Sequence, residues 1–137
     1  MALSNTPVFA QTPRAAFARV TTANTSLDGR GTIAPLLTAG ADGALVTALQ
    51  ARCLTTVTAT ALRLWLSLDN GATWALWDER LMGAYTVAQT TAQNAVTFVD
   101  KTNPDQAIRL PAGARLGVTS GTALAGGIVF TAEYLDF

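Results

Sequence analysis

Few side chains in this sequence of 137 residues could do chemistry. It contains no histidine and one cysteine, and its nine basic and nine acidic residues give a formal charge of zero. Without histidine the most common general base is missing, and an ordinary zinc site cannot form around one thiol. Cys53 cannot form an internal disulfide, and its apolar and threonine neighbours predict a buried structural thiol. We therefore expect no enzyme activity, no cofactor and no metal site.

The acidic residues are placed for turns rather than for catalysis. Those next to or near a glycine or proline are Asp28, Asp42, Asp69 and Asp105. Aspartate is favoured in turns because its carboxylate accepts hydrogen bonds from nearby backbone N–H groups. The one adjacent pair, Asp78 and Glu79, falls in a predicted strand, where neighbours point to opposite faces. A calcium site is the minor alternative to turn formation.

Charge and hydropathy restrict the partners. Zero net charge with a single lysine argues against nucleic-acid binding. Charged residues make up 13% of the chain and apolar residues 50%, less charge than a free monomer usually carries. We expect another protein chain to cover part of this apolar surface. The start lacks a secretory signal pattern and no apolar run suits a membrane helix, so we expect a product made in the cytoplasm that does not enter a membrane.

The segment 67–74 (SLDNGATW) resembles the Asp-box, S-x-D-x-G-x-T-W, which recurs in the blades of sialidase propellers. In that motif the aspartate caps a turn, the glycine takes a positive φ and the tryptophan packs against the hairpin. The motif is structural, and this chain is too short for a propeller. We therefore expect Asp69 and Gly71 to form a hairpin turn and no sialidase activity.

The strand before this turn alternates strictly. Leu62, Leu64, Leu66 and Leu68 recur at every second position, which predicts a strand with its leucines facing a core. Arg63 and Trp65 then lie on the opposite face, and both residue types are enriched in interface hot spots. A loop or second sheet covering Trp65 is the alternative, and a sugar-binding strip of Trp65 with Trp74 or Trp77 is a third possibility.

Further strands follow at spacings of about ten residues, as in a sandwich or barrel. They are predicted at 15–22, 32–38, 73–81, 95–100, 108–110, 115–119 and 127–137. Pro35 indicates an edge or a bulge in the second of these. The segment 44–53 combines helix formers with alternation, and the β-branched residues after it favour a strand. The sequence predicts an all-β fold, a single jelly-roll-like antiparallel β-sandwich.

Residues 1–13 show no alternation and contain two prolines. We predict an extended N-terminal arm over 1–13 and a sandwich domain over 14–137. A disordered terminus is the common alternative, and Val8 and Phe9 favour an arm that docks.

The succession of segments resembles a known family. TTANT at 21–25 runs through Asp28-Gly29 to Gly31-Thr32, and AGADG follows at 39–43. LRLWLSLDNG (62–71), LPAGARLGVTS (110–120) and AEYLDF (132–137) complete the series. In this order they resemble small β-sandwich head decoration (cement) proteins of tailed bacteriophages, over about residues 17–137. The tryptophan-rich segment 74–77 and the long stretch 82–106 depart from that pattern.

This resemblance implies a virion structural protein that binds the outer capsid surface and stabilises it. Its partners would be the major capsid protein and further copies of itself, with a trimer favoured, and no catalytic residue is implied. The candidate interface residues are Val8, Phe9, Arg63, Trp65 and Trp77. A carbohydrate- or receptor-binding module of a phage head or tail fibre is the alternative function.

Overall fold

Alternating apolar side chains form strands along most of the chain. The computed structural model describes residues 12–93 and 95–137. Its strands are β1 (Thr12–Val20), β2 (Ala34–Thr38), β3 (Ala44–Cys53), β4 (Thr60–Ser67), β5 (Ala75–Met82), β6 (Val96–Val99), β7 (Ile108–Leu110), β8 (Arg115–Ser120) and β9 (Ile128–Asp136). A 3-10 helix at Pro104–Gln106 lies between β6 and β7. The ambiguous segment 44–53 is strand β3, as predicted.

The strands form two antiparallel sheets. The first sheet has the order β1-β9-β3-β6, with β7 also pairing with β3, and the second has the order β2-β8-β4-β5. Because β6 and β7 pair with successive parts of β3, they share one strand position. The described strands thus fill eight positions divided between two sheets, which makes a jelly-roll β-sandwich and confirms the predicted fold class.

The core lies between the sheets and is built from every second residue of the central strands. Leu49 of β3, Leu64 of β4 and Phe130 of β9 are completely buried. Cys53 is also buried, as the sequence predicted. The core is mostly apolar, and its polar members include Thr60 and Ser120, whose Oγ1 and Oγ atoms lie 3.4 Å apart.

Two local predictions are confirmed. The pairing of β2 with β8 shifts between Pro35 and Leu37, and β2 is an edge strand, as expected for a strand that contains proline. Asn70 and Gly71 both have positive φ, at 64° and 87°, as the Asn-Gly turn requires.

The alternation predicted for β4 extends one leucine too far. Leu62 and Leu64 are fully buried, whereas Leu68 is 69% exposed. The prediction was wrong for Leu68 because β4 ends at Ser67, and Leu68 belongs to the hairpin loop.

The first strand includes the last two residues of the predicted arm, Thr12 and Pro13. Thr12 and Pro13 pair with Asp136 and Leu135 in the first sheet. The arm prediction for 1–11, with Val8 and Phe9, lies outside the described residues.

Candidate interaction surfaces

The outer face of the second sheet is covered by the loop 21–33, which we call the cover loop. Asn24 is buried and organises this loop, because its backbone N–H donates to the carbonyl of Ser120 at 2.9 Å. Its side-chain amide donates to the carbonyls of Arg30 and Thr32, and its Oδ1 accepts from the N–H of Ser26. One asparagine therefore ties both ends of the cover loop to each other and to β8.

Trp65 lies on this outer face and is nevertheless completely buried. Its indole N–H donates to Oγ1 of Thr119 at 2.9 Å, and its neighbour across the sheet is Gly117. A Cβ atom on Gly117 would stand 2.5 Å from Cγ2 of Ile33 and 3.0 Å from Cζ3 of Trp74, so side chains from the cover loop and the hairpin fill this space. The prediction that Trp65 faces a partner is wrong, and the alternative of a covering loop is confirmed.

Arg63 is held by internal partners. Its Nε donates to Glu79 at 2.7 Å and its Nη1 to the carbonyl of Asn24 at 3.4 Å, and its side chain is 13% exposed. Arg63 therefore joins the hairpin to the cover loop and offers little surface to another molecule.

The hairpin loop 67–74 is closed by the residues of the Asp-box pattern. Oδ1 of Asp69 accepts from Ser67 Oγ and from the N–H of Thr73, both at 2.9 Å, and Oδ2 accepts from Thr73 Oγ1. Ser67 Oγ accepts in turn from the N–H of Gly71 at 2.8 Å. The hydrogen bonds from Thr73 hold the pKa of Asp69 below its usual value. The motif is structural here, as predicted.

Strand β5 exposes an apolar strip. Leu76, Trp77 and Leu81 are 41%, 50% and 71% exposed, and we call them the β5 strip. β5 is the edge of the second sheet, and its pairing with β4 shifts at Trp77. Of the predicted interface residues within the described part of the chain, Trp77 has substantial exposed surface. Sequence reasoning missed Leu76 and Leu81, although both lie in the strand predicted at 73–81.

The outer face of the first sheet is the second exposed surface, which we call the open face. It presents the outward residues of β1, β9 and β3, including Phe17, which is 75% exposed. Side chains of Ala15, Ala48 and Thr131 leave a shallow groove of about 420 Å³. Residues Asp100 to Thr102 border this groove. Alternation could have found each outward residue, but the sequence does not give the register that brings them together.

Metal-binding groups and membrane-spanning helices are absent from the described part of the chain. Within 12–93 and 95–137 no three histidine, cysteine or acidic residues are grouped to hold a metal ion. No helix in that part of the chain has the length and apolarity to cross a membrane.

Comparison with family models and with curated proteins finds no match. Among solved structures, the chain is similar to one described as the structure of Eiger TNF from S. frugiperda, with a TM-score of 0.46 and 11% identity. The match covers 93% of this chain and 96% of that chain.

Proposed function

We propose that this protein is a non-catalytic structural component of a bacteriophage particle, a decoration protein that binds the outer surface of the capsid and stabilises it. The resemblance of segments 21–32, 39–43, 62–71, 110–120 and 132–137 to head decoration proteins supports this role. The sandwich fits it, because a brace between capsid subunits needs a rigid body and a contact surface rather than reactive groups.

The observation that carries the proposal is the β5 strip. Leu76, Trp77 and Leu81 are large exposed apolar side chains on one edge strand. The strand register places Leu76 and Leu81 on the outer face of the sheet, with the Arg63–Glu79 ion pair between them. The buried centre of a protein interface is more apolar than the rest of the surface and is enriched in aromatic residues. The edge of β5 also offers backbone groups to which a strand of a partner could add.

The proposed partner is the major capsid protein, and the proposed location is the capsid surface, after synthesis in the host cytoplasm. Many copies on one shell would gain avidity from weak individual contacts. The sandwich would then need no large interface for each copy.

Binding to capsids that lack the protein tests this proposal. We expect wild-type protein to co-sediment with such capsids at saturating copy number, and Leu81→Asp to bind at least about tenfold more weakly because it places a charge in an apolar contact. Leu27→Asp is the matched control, since Leu27 is 60% exposed on the cover loop and does not belong to the strip. Equal binding by both variants, or no binding by the wild type, would contradict the proposal.

A carbohydrate-binding role is supported by one observation, the half-exposed ring of Trp77. Trp65 is buried and Trp74 packs beside Gly117, so the three-tryptophan platform considered from the sequence is reduced to one ring. Titration of tryptophan fluorescence with host polysaccharide tests this alternative. A saturable shift in wild type that is lost in Trp77→Leu would favour it over capsid binding.

A further inference from the structure

The outward side chains of the open face form three rows that run across the strands. The rows differ in charge: the central row is uncharged, one neighbouring row is acidic and the other is basic. The central row runs from Phe17 through Thr131 and Gln50 to Thr97, as the strand register places them. Phe17 and Thr131 are exposed and Gln50 is half-buried. The row has no charged residue.

The row on one side of it is acidic at its centre. Ala15 pairs with Glu133, and Glu133 pairs with Ala48. The two alanines leave the space on either side of the carboxylate open, and Glu133 is exposed.

The row on the other side is basic at both ends. Arg19 pairs with Val129, and Val129 pairs with Arg52. Both arginines are exposed, and among the described residues Arg19, Arg52 and Glu133 have no ion-pair partner. Asp100 and Lys101 at the border of the face offset each other in charge.

One rotation of a second copy places its basic row opposite the acidic row of the first copy. We propose that the open face binds the open face of a second copy around a two-fold axis that lies along the central row, perpendicular to the strands. That rotation places Glu133 opposite Val129 of the second copy, so that Arg19 and Arg52 of that copy reach it over Ala15 and Ala48. A two-fold contact is isologous, so the same ion pairs form twice.

The competing axis, parallel to the strands, is disfavoured by charge. It would place the row of Arg19 and Arg52 opposite its own copy, and like charges across an interface cost free energy. The perpendicular axis also brings Phe17 against Phe17 and Gln50 against Gln50, where each amide can both donate and accept. The pairing is two-fold, unlike the trimer that the sequence resemblance favours.

The size of the face sets the expected strength. Nine residues of strand span about 30 Å and four strands about 19 Å, so each copy offers roughly 570 Å² in projection. Counted over both copies, this contact area is at the lower end for a specific protein interface. We therefore expect a dimer that dissociates on dilution and weakens with salt, since its ion pairs are near the surface.

Charge reversal tests the pairing on purified protein and does not require capsids. By analytical ultracentrifugation we expect wild type to reach twice its 14.2 kDa mass at high concentration. Glu133→Arg, and separately the double variant Arg19→Glu/Arg52→Glu, should each weaken the dimer at least about tenfold. Asp42→Arg, which changes the net charge as Glu133→Arg does but at an exposed turn off the open face, is the control and should dimerise as wild type does.

Mixing the two reversed proteins is the decisive measurement. A heterodimer of the two variants would restore both sets of ion pairs. The arginine introduced at position 133 of one variant faces the two glutamates introduced into the other variant. The unchanged Glu133 of the double variant faces the unchanged Arg19 and Arg52 of its partner. We therefore expect the mixture to recover wild-type association, and this recovery cannot come from misfolding of either variant. Four outcomes would each overturn the proposal, whatever the outcome of capsid binding. They are a wild type that is monomeric at millimolar concentration, a wild type that is trimeric, a Glu133→Arg variant that dimerises as wild type does, and a mixture of the two variants that stays monomeric.

Discussion

At the scale of single residues, Trp65 and Trp77 differ because of what surrounds them. Both occur within the same hairpin, and the sequence made both of them candidates for a partner. Trp65 is enclosed by the cover loop and donates its indole N–H to Thr119, while Trp77 lies on an edge strand and stays half exposed. Residue type alone does not separate an interface anchor from a core anchor.

Conservative replacement of these two residues should give unequal effects. We expect Trp65→Phe to lower the free energy of unfolding by about 1–3 kcal/mol, because it leaves a gap and removes the donor to the Thr119 hydroxyl. Trp77→Phe, the matched control, should change it by less than about 0.5 kcal/mol. Urea denaturation measures both, and equal losses would contradict the buried position of Trp65.

At the scale of elements, the hairpin loop 67–74 illustrates a structure whose closing hydrogen bonds come mostly from local sequence. Ser67, Asp69 and Thr73 bond to one another and to loop backbone within seven residues. Because these partners are local, the motif predicts the loop without knowledge of the rest of the fold.

The stability of this loop should depend on pH through Asp69. Its pKa in the folded protein is lowered by Thr73, so the ionised form stabilises the fold above the unfolded pKa and this stabilisation is lost as the pH falls through the folded pKa. We therefore expect the difference in unfolding free energy between wild type and Asp69→Asn to be largest near neutral pH and to shrink below about pH 4.

Urea unfolding of both proteins across this pH range measures the effect. Asp100, whose pKa is also lowered by hydrogen bonds from Thr102, is present in both proteins and cancels from the difference. A difference that stays constant down to acid pH would show that the ionised carboxylate does not stabilise the loop.

At the scale of the whole molecule, strand β9 joins the two sheets. Asp136 of β9 accepts from Arg14 Nε of β1 at 2.6 Å and from the N–H of Gly40, which follows β2, at 3.1 Å. The N–H of Phe137 donates to the carbonyl of Gly43 at 3.2 Å. Segments far apart in sequence therefore meet at one carboxylate.

Removal of this carboxylate should weaken the whole sandwich. We expect Asp136→Ala to cost about 1–3 kcal/mol, since it leaves the Gly40 N–H without its acceptor and frees Arg14. Asp42→Ala, on an exposed turn nearby, is the control and should cost less than about 0.5 kcal/mol. Urea denaturation measures both variants. If Asp136→Ala unfolds in a single cooperative transition with an unchanged slope and a lower midpoint, the variant has lost stability. An unaltered midpoint would contradict this role of Asp136.

The sequence by itself determined the strands, the β-sandwich class, the Asn-Gly hairpin, the bulge at Pro35 and the burial of Cys53. Alternation, turn chemistry and proline geometry act over a few residues, so these features can be read locally. Tertiary structure alone decided that the cover loop buries Trp65. It also decided that Glu133 lies between two alanines in one row of the open face, while two arginines lie in the row on the other side of the central row. Those facts depend on contacts between segments far apart in sequence and on strand register, which no local pattern encodes.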